Sequence, residues 1–295
     1  MRISSSILSG DGDPLQGSIV QIFDHGLDVQ PKGGHLFYVG GFDKPLSCIG
    51  LQIPESELEQ LLGLAKIGDC VLLDSRGLFL SRAGRTVLHL VWGEPKRILL
   101  SFTQTLSSDE MSHAARAIRD VTPKLSIGLA ADEDLARALK GLQSGGTKQE
   151  DAIFWLLGRG LGLTPSGDDI LSGFGAGLLA AGKKEAFASF SDALKAVMSR
   201  RLTTAVSEAY LAAMLSGAVN EGMLSFLEAA SSGGDLAVPL ARARAYGHTS
   251  GDDMLLGLYT AFVRQPFCPA HGREGHELPS NHDQNGGDIH VHAIY

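Results

Sequence analysis

The sequence has few cysteines, and their spacing is not that of a cysteine-based site. Cys48, Cys70 and Cys268 are the three cysteines of the 295-residue chain, and no two of them form a C-x-x-C pair. Neither a zinc cluster nor a disulfide framework is therefore expected. A chain that uses so little cysteine suits the reducing cytoplasm, which is the predicted location.

Positive charge and long apolar runs are also scarce. The chain carries 25 Lys and Arg against 33 Asp and Glu, and its formal net charge is −8. This composition argues against a nucleic-acid partner, because binding to phosphate backbones needs clustered cations. The most membrane-like run, 170–182, has about 13 residues, whereas a bilayer span needs roughly 20. No membrane partner is expected, and residues 1–17 lack the apolar core of a secretion signal.

The N-terminal third of the chain has the pattern of a β-rich domain. From residue 17 to about residue 102, apolar runs such as SIVQIFD, HLFYVGG and CVLLD are separated by glycine, proline or aspartate. Short runs bounded by such turn formers are typical of strands. One segment, 55–66, has a helical period instead. The predicted fold class is α+β, with a barrel-like β-rich domain at 1–102.

The rest of the chain is predicted to form an all-α domain at 103–265 and a loosely ordered tail at 266–295. The tail holds five histidines among glycine and proline, without the regular spacing of a metal site. A short returning strand at 290–292 is an alternative for its end. Alanine- and leucine-rich segments with a 3.6-residue period predict nine helices. These helices are expected at 107–121, 132–142, 149–158, 168–181, 184–198, 203–217, 223–230, 236–246 and 252–263.

Two segments of the predicted helical domain share a motif. The chain reads LTPSGDDILSGFGAGL in one place and HTSGDDMLLG further along. In each copy Ser-Gly-Asp-Asp precedes an apolar helix. Ser166 with Asp169, and Ser250 with Asp253, therefore have the spacing of an N-terminal capping box, which stabilises a helix by about 0.5–2 kcal/mol. On this interpretation each motif is only a helix start.

Two features of the motif are not needed for capping. Gly167 and Gly251 would occupy the first helical position, where glycine costs about 1 kcal/mol relative to alanine but leaves backbone N–H groups open to an anion. The outer aspartates, Asp168 and Asp252, have no part in a capping box. Two such helix starts can face one another across a cleft. The predicted catalytic residues are Asp168, Asp169, Asp252 and Asp253, and the predicted substrate-binding residues are Thr164, Ser166, Gly167, Ser250, Gly251, Arg159 and His248.

The motif also resembles that of a known family. Segments 160–173 and 250–257, together with GSIVQIF at 17–23, are similar to the AllH family, which supplies one subunit of oxamate carbamoyltransferase. The resemblance implies a carbamoyltransferase subunit of allantoin catabolism, a branch of purine degradation, that acts with two other subunits. The implied reaction converts oxalurate and phosphate into oxamate and carbamoyl phosphate. The implied ligands are therefore small anions and carbamoyl compounds.

The implied chemistry can be matched to the residues of the motif. Carboxylates accept hydrogen bonds from ureido N–H groups, while the N–H groups of Gly167 and Gly251 suit anions and a developing oxyanion. Four carboxylates repel phosphate unless cations compensate them. Mg²⁺ is a candidate cofactor for this reason, with Asp168 and Asp252 as its ligands. The candidate arginines are Arg159, Arg242 and Arg244, and His248 is the histidine nearest to a motif.

Two other functions remain open at this stage. The chain could be a non-catalytic scaffold or metabolite-sensing subunit, whose cleft binds a ligand without turnover. Paired aspartates at helix starts also suggest a Mg²⁺-dependent hydrolase similar to the ADP-ribosylglycohydrolases, although this chain lacks the further acidic motifs that such a site needs. Assays of the purified chain distinguish a sensor, which binds without turnover, from an enzyme that acts alone.

Overall fold

The computed structural model describes residues 1–7, 14–74, 76–93, 95–200 and 202–263. It confirms the predicted fold class, because a curled nine-stranded sheet, a half-barrel, is followed by a helical region. The predicted tail at 266–295 lies outside the described residues. No helix within the described ranges is long and apolar enough to cross a membrane.

The sheet is formed by β1 (Arg2–Ser4), β2 (Leu15–Phe23), β3 (Gly26–Pro31), β4 (Phe37–Gly40), β5 (Gly50–Gln52), β6 (Cys70–Asp74), β7 (Gly77–Arg82), β8 (Arg85–Val91) and β9 (Lys96–Ile98). Their order across the sheet is β8-β7-β6-β2-β3-β4-β5-β1-β9. The pairs β4–β5 and β1–β9 are parallel, and the other pairs are antiparallel. The predicted helix is present between β5 and β6 as α1 (Glu55–Leu64), and it buries Leu58 and Leu61 against the sheet.

The two faces of the central strands differ in chemistry. Side chains alternate between the faces of a strand, so Leu27 and Val29 of β3 share the apolar core with Val39 of β4. The opposite face is polar and rich in glycine, and part of it lines a cavity against the helical region. That face carries Gly26, Asp28, Gln30, Tyr38, Gly40, Gly50 and Gln52.

Tyr38 lies across this polar face because two glycines make room for it. Gly26 and Gly40 are paired across β3 and β4. A Cβ on Gly26 would overlap the Tyr38 hydroxyl, and a Cβ on Gly40 would overlap its ring. The hydroxyl donates to the carbonyl oxygen of His25 at 2.8 Å, which fixes the ring over the strands.

Nine α-helices follow the sheet within the described residues, as predicted, with a 3₁₀ turn at Thr122–Lys124. The predicted ranges are accurate to within three residues at every helix end. The helices are α2 (Ser108–Val121), α3 (Glu133–Leu142), α4 (Gly146–Leu156), α5 (Ser166–Ala180), α6 (Lys184–Met198), α7 (Ala205–Leu215), α8 (Glu221–Ser231), α9 (Ala237–Arg244) and α10 (Ser250–Phe262).

The sheet and the helical region share one apolar cluster. Leu46 and Ile49, from the segment between β4 and β5, pack in the same buried cluster as Val206 of α7. A backbone hydrogen bond of 2.8 Å joins the Val219 N–H to the carbonyl oxygen of Leu100. The change from strands to helices falls near the predicted boundary at residue 102, but the division into separate domains stays a prediction.

Candidate active site

The structure brings the two Ser-Gly-Asp-Asp motifs together at the starts of α5 and α10. Thr164, just before the first motif, and Ser250, in the second, have their hydroxyl oxygens 3.1 Å apart. The serine and both aspartates of each copy are buried. Residues far apart in the chain therefore form one polar cluster beneath the surface.

The two helices cross at glycines that occupy the same position in each motif. A Cβ on Gly173 of α5 would overlap the carbonyl oxygen of Met254, and a Cβ on Gly257 of α10 would overlap the carbonyl oxygen of Ile170. Backbones this close require a residue without a Cβ. The contacts are reciprocal, so the two motifs are related by an approximate two-fold arrangement.

Ser166 and Ser250 are not N-cap residues, and the prediction of capping boxes is wrong. Each serine is the first residue of its helix, and neither helix has a side-chain cap hydrogen bond. Instead, each serine bonds to the inner aspartate of the other motif: Ser250 to Asp169, and Ser166 to Asp253. These contacts join side chains of the two copies and leave the backbone N–H groups at both helix starts uncapped by side chains.

The N–H groups of Gly167 and Gly251 are not open to an anion, contrary to the prediction. Each donates to a backbone carbonyl in the loop before its helix, at 2.8 Å. A Cβ on Gly167 would overlap the carbonyl oxygen of Leu156 in α4, and a Cβ on Gly251 would overlap that of Ala243 in α9. These glycines allow each helix to start tightly against the end of the preceding one.

The outer aspartate of the first motif, Asp168, links neighbouring segments of the chain through hydrogen bonds. Asp168 accepts the N–H of Gly158 at 2.7 Å and the hydroxyl of Ser207 at 2.6 Å, and also the hydroxyl of Thr203. Burial raises the pKa of Asp168, and these hydrogen bonds oppose the rise. Its carboxylate joins the loop after α4 to the beginning of α7.

The outer aspartate of the second motif is an ion-pair partner. Asp252 accepts the N–H of Ser126 at 2.7 Å and two hydrogen bonds from the guanidinium of Arg244, at 2.8 and 3.2 Å. Both oxygens of Asp168 and of Asp252 are thus occupied by N–H or O–H donors. They do not fit the role of Mg²⁺ ligands, and the described residues contain no group of three or more His, Cys, Asp or Glu that could hold a metal.

The inner aspartates are different, because each has an oxygen without a partner. The side chains of Asp169 and Asp253 are buried, and the Oδ2 atom of each makes no hydrogen bond. Burial, and then the charge of Asp253, raise the pKa of Asp169 well above its usual range. Burial raises the pKa of Asp253 to about 6. Burial therefore favours the protonated form of both carboxyls relative to an exposed aspartate.

The approximate two-fold arrangement does not extend to the surroundings of the inner pair. The loop after the 3₁₀ turn covers Asp253, since the N–H of Gly128 donates to its Oδ1 at 3.2 Å. A Cβ on Gly128 would overlap the Ser166 hydroxyl oxygen, so only glycine can cross there. The hydrogen-bond partners of Asp169, Thr164 and Ser250, instead line a cavity.

This cavity has a volume of about 90 Å³ and lies between β3–β5 and the start of α10. Hydroxyl groups run along one side: the Ser47 hydroxyl is 2.8 Å from that of Tyr210, which is 2.7 Å from that of Tyr246. Asp28 lines the sheet side, with 1% of the residue exposed and an Oδ2 atom that has no partner. Burial raises the pKa of Asp28 to about 7.

The sheet contributes cavity residues that were not predicted from the sequence, although the sequence contains a signal for them. In GLDVQ the aspartate lies on one face of a strand, and Leu27 and Val29 lie on the other, apolar face. Three of the predicted cationic residues do not line the cavity. Arg159 is exposed and stacks 4.1 Å from the Trp155 ring centroid, His248 is exposed in the turn before α10, and Arg244 is paired with Asp252.

The comparisons with known proteins agree with the motif. Residues 156–262 match the family model described as oxamate carbamoyltransferase subunit AllH. The match begins at the last residue of α4 and ends with α10, so it contains both motifs and most of the helical side of the cavity. No solved structure gives a significant match. Over residues 156–262 the chain is therefore similar to the AllH family.

Proposed function

We propose that the protein is a subunit of a carbamoyltransferase that uses oxalurate and phosphate and forms oxamate and carbamoyl phosphate. The family match over both motifs supports the reaction type. The observation that carries the proposal is the buried inner pair, Asp169 and Asp253, in which each carboxyl has one unpartnered oxygen. Through Ser250 and Thr164, Asp169 reaches the wall of a cavity of about 90 Å³.

The reaction requires one proton transfer that such a pair can perform. An oxygen of hydrogen phosphate forms a bond to the carbamoyl carbon, and the bond from that carbon to the amide nitrogen of oxamate breaks. The hydrogen of the phosphate is lost, and the departing nitrogen gains one, so the reaction conserves charge. A carboxyl with a pKa raised toward neutrality can both accept and donate that proton.

We assign the four aspartates two roles on the basis of their hydrogen bonds. Thr164 and Ser250 are the motif hydroxyls that contact the ligand, and Asp169 moves or holds a proton through Ser250. Asp168 and Asp252 position the loops, because their oxygens are taken by protein donors. In this proposal the inner pair, Asp169 and Asp253, is catalytic, and the outer pair acts through the positions of its neighbours.

The same arrangement lessens the repulsion expected between four carboxylates and phosphate. Arg244 neutralises Asp252, and the raised pKa of Asp169 favours the uncharged form of that carboxyl. Among the described residues that line the cavity, Lys44 is the one permanent cation. Phosphate binding normally uses several cationic groups or open N–H groups. Partner subunits of the transferase are therefore proposed to supply the remainder.

A reconstitution assay tests this function. The chain is assayed alone and with the two other subunits of oxamate carbamoyltransferase, with oxalurate and phosphate, and carbamoyl phosphate is measured. We expect turnover that depends on the partners, and a loss of about 100-fold or more in kcat for Asp169→Asn and for Asp253→Asn. The matched control is Asp192→Asn on α6, an exposed aspartate away from the cavity.

Two results would contradict the proposal. If the complete complex binds oxalurate without turning it over, the protein is a metabolite sensor or scaffold. If both inner variants keep full activity while folding normally, the inner pair has no part in the reaction.

A further inference from the structure

The cavity contains a second polar group that no motif predicts. Asp28 comes from the sheet, on the wall opposite the motifs, and it is one of the most deeply buried carboxyls in the described chain. Its Oδ2 atom has no hydrogen-bond partner. Leaving a buried carboxyl oxygen unpartnered is unfavourable for folding, so a binding role would explain why the residue is aspartate.

The fold directs Asp28 into the cavity. Asp28 pairs with Tyr38 of β4, and Tyr38 pairs with Gly50 of β5, so these three residues share the polar face. Gly50 places no side chain there, and the Tyr38 ring lies over two further glycines, which keeps space open beside the carboxyl. The neighbouring core residues, Leu27 and Val29, face away from the cavity.

We infer that Asp28 binds an N–H-bearing carbamoyl or ureido group of a small ligand in this cavity. A carboxylate accepts N–H donors through both oxygens, and a neutral carboxyl accepts one N–H while donating to a neighbouring carbonyl oxygen. A carbamoyl group offers both partners.

The class of ligand in this inference rests on the proposed function. The binding residue, Asp28, lies outside residues 156–262, which the family model matches. It also gives the cavity two distinct sides. Asp28 holds the carbamoyl nitrogen on the sheet side, and Ser250 with Thr164 approaches the ligand from the helical side. Asp28 is therefore a specificity-determining residue that separates carbamoyl compounds from simple dicarboxylates.

Calorimetry on the full chain, alone and with the partner subunits, tests the inference. The probes are oxalurate and oxamate, which carry N–H groups, oxalate, which carries none, and guanidinium as a cation. We expect Asp28→Leu to weaken oxalurate binding at least tenfold and Asp28→Asn to weaken it severalfold, with oxalate unaffected. The matched control is Asp69→Asn, which removes a buried carboxylate just before β6 that is already paired with Arg82 and lies outside the cavity.

A second readout separates a binding role from a structural one. Replacing an unpartnered buried carboxyl raises the melting temperature, so Asp28→Asn should melt higher than the parent, whereas Asp69→Asn should melt lower. If Asp28→Leu fails to fold, the Asn variant still decides. The inference is overturned if the Asn variant binds oxalurate as tightly as the parent. It is also overturned if the parent binds neither oxalurate nor oxamate, alone or with the partner subunits, or if guanidinium is the only probe whose binding depends on Asp28. Asp28-dependent binding without turnover in the complete complex upholds it and refutes only the proposed function.

Discussion

Asp168 and Asp169 are neighbours in the chain, but their carboxyls meet different surroundings. Asp168 has three protein donors, and Asp169 keeps an unpartnered oxygen. Removing a buried acceptor destabilises the protein because its donors lose their partner. Removing the charge of a carboxyl that has an unsatisfied oxygen is neutral or favourable for stability. The two residues should therefore respond in opposite ways to the same substitution.

We expect Asp168→Asn to lower the free energy of unfolding by about 1–3 kcal/mol, because its amide nitrogen cannot accept from Ser207 or Gly158. Asp169→Asn should leave stability unchanged or raise it. Urea denaturation of both variants and the parent measures the difference. Equal losses in the two variants would show that the outer and inner aspartates are not distinguished by their hydrogen bonds.

Asp28 should make the stability of the protein depend on pH. Its pKa is raised to about 7 in the folded protein, and in an unfolded chain an aspartate has a pKa of about 3.9. Between these values the folded protein keeps a proton that the unfolded chain has lost, so the free energy of unfolding falls as pH rises from about 4 to 7. Asp253, with a pKa raised to about 6, contributes with the same sign.

The variant Asp28→Asn should flatten this decline, because the amide does not titrate. Urea midpoints of parent and variant across about pH 4 to 8 measure the slope. The other ionisable groups that line the cavity, His25, Tyr38, Asp43, Lys44, Tyr210 and Tyr246, are present in both proteins. Parallel pH profiles would mean that Asp28 is ionised throughout the folded state.

At the scale of the helices, the crossing of α5 and α10 depends on Gly173 and Gly257. A Cβ at either position would meet a backbone carbonyl, which cannot move as the end of a side chain can. We expect Gly173→Ala and Gly257→Ala each to destabilise the protein by about 2 kcal/mol or more, through overpacking. Gly63 of α1 is the matched control, since a Cβ there meets nothing within 4 Å and alanine should stabilise its helix by up to about 1 kcal/mol. Thermal melts of the three variants test the contrast, and mild effects at the crossing would show that the helices can separate.

The helices themselves could be predicted from the sequence because their apolar period is local. The 3.6-residue pattern gave all nine with small errors at their ends. The local capping spacing was misleading, because Ser166 and Ser250 bond across the two copies. Which serine meets which aspartate depends on the glycine crossing, and this is a tertiary contact that periodicity does not contain. Asp28 was missed because its strand, β3, is not among the predicted apolar runs, and because the face on which it lies depends on what packs there.

At the scale of the whole molecule, the apolar cluster between sheet and helices should make the chain unfold as one unit. Residues of α7 pack with the segment that joins β4 and β5, so separating the two parts would expose several buried side chains at about 1.5–3 kcal/mol each. The two tryptophans report on different parts, since Trp92 packs on the sheet core and Trp155 lies in α4.

We therefore expect Trp92→Phe and Trp155→Phe, each with a single remaining tryptophan, to give the same urea midpoint when followed by fluorescence. Coincident midpoints indicate one cooperative unit. Two well-separated midpoints would instead establish the predicted boundary near residue 102 as a division between independently stable domains.

The cavity has one wall from the sheet and one from the helices, and this placement makes a bound small molecule a cross-link between them. Binding free energy is added only while both walls are in place, so a ligand at 100 times its Kd protects the assembled state by about 2.7 kcal/mol. Amide hydrogens of β3 and of α10, far apart in the chain, should then exchange more slowly together and to a similar degree. A metabolite in this position would act on the lifetime of the folded protein as well as on its chemistry, and its cellular concentration would set how long the chain resists proteolysis.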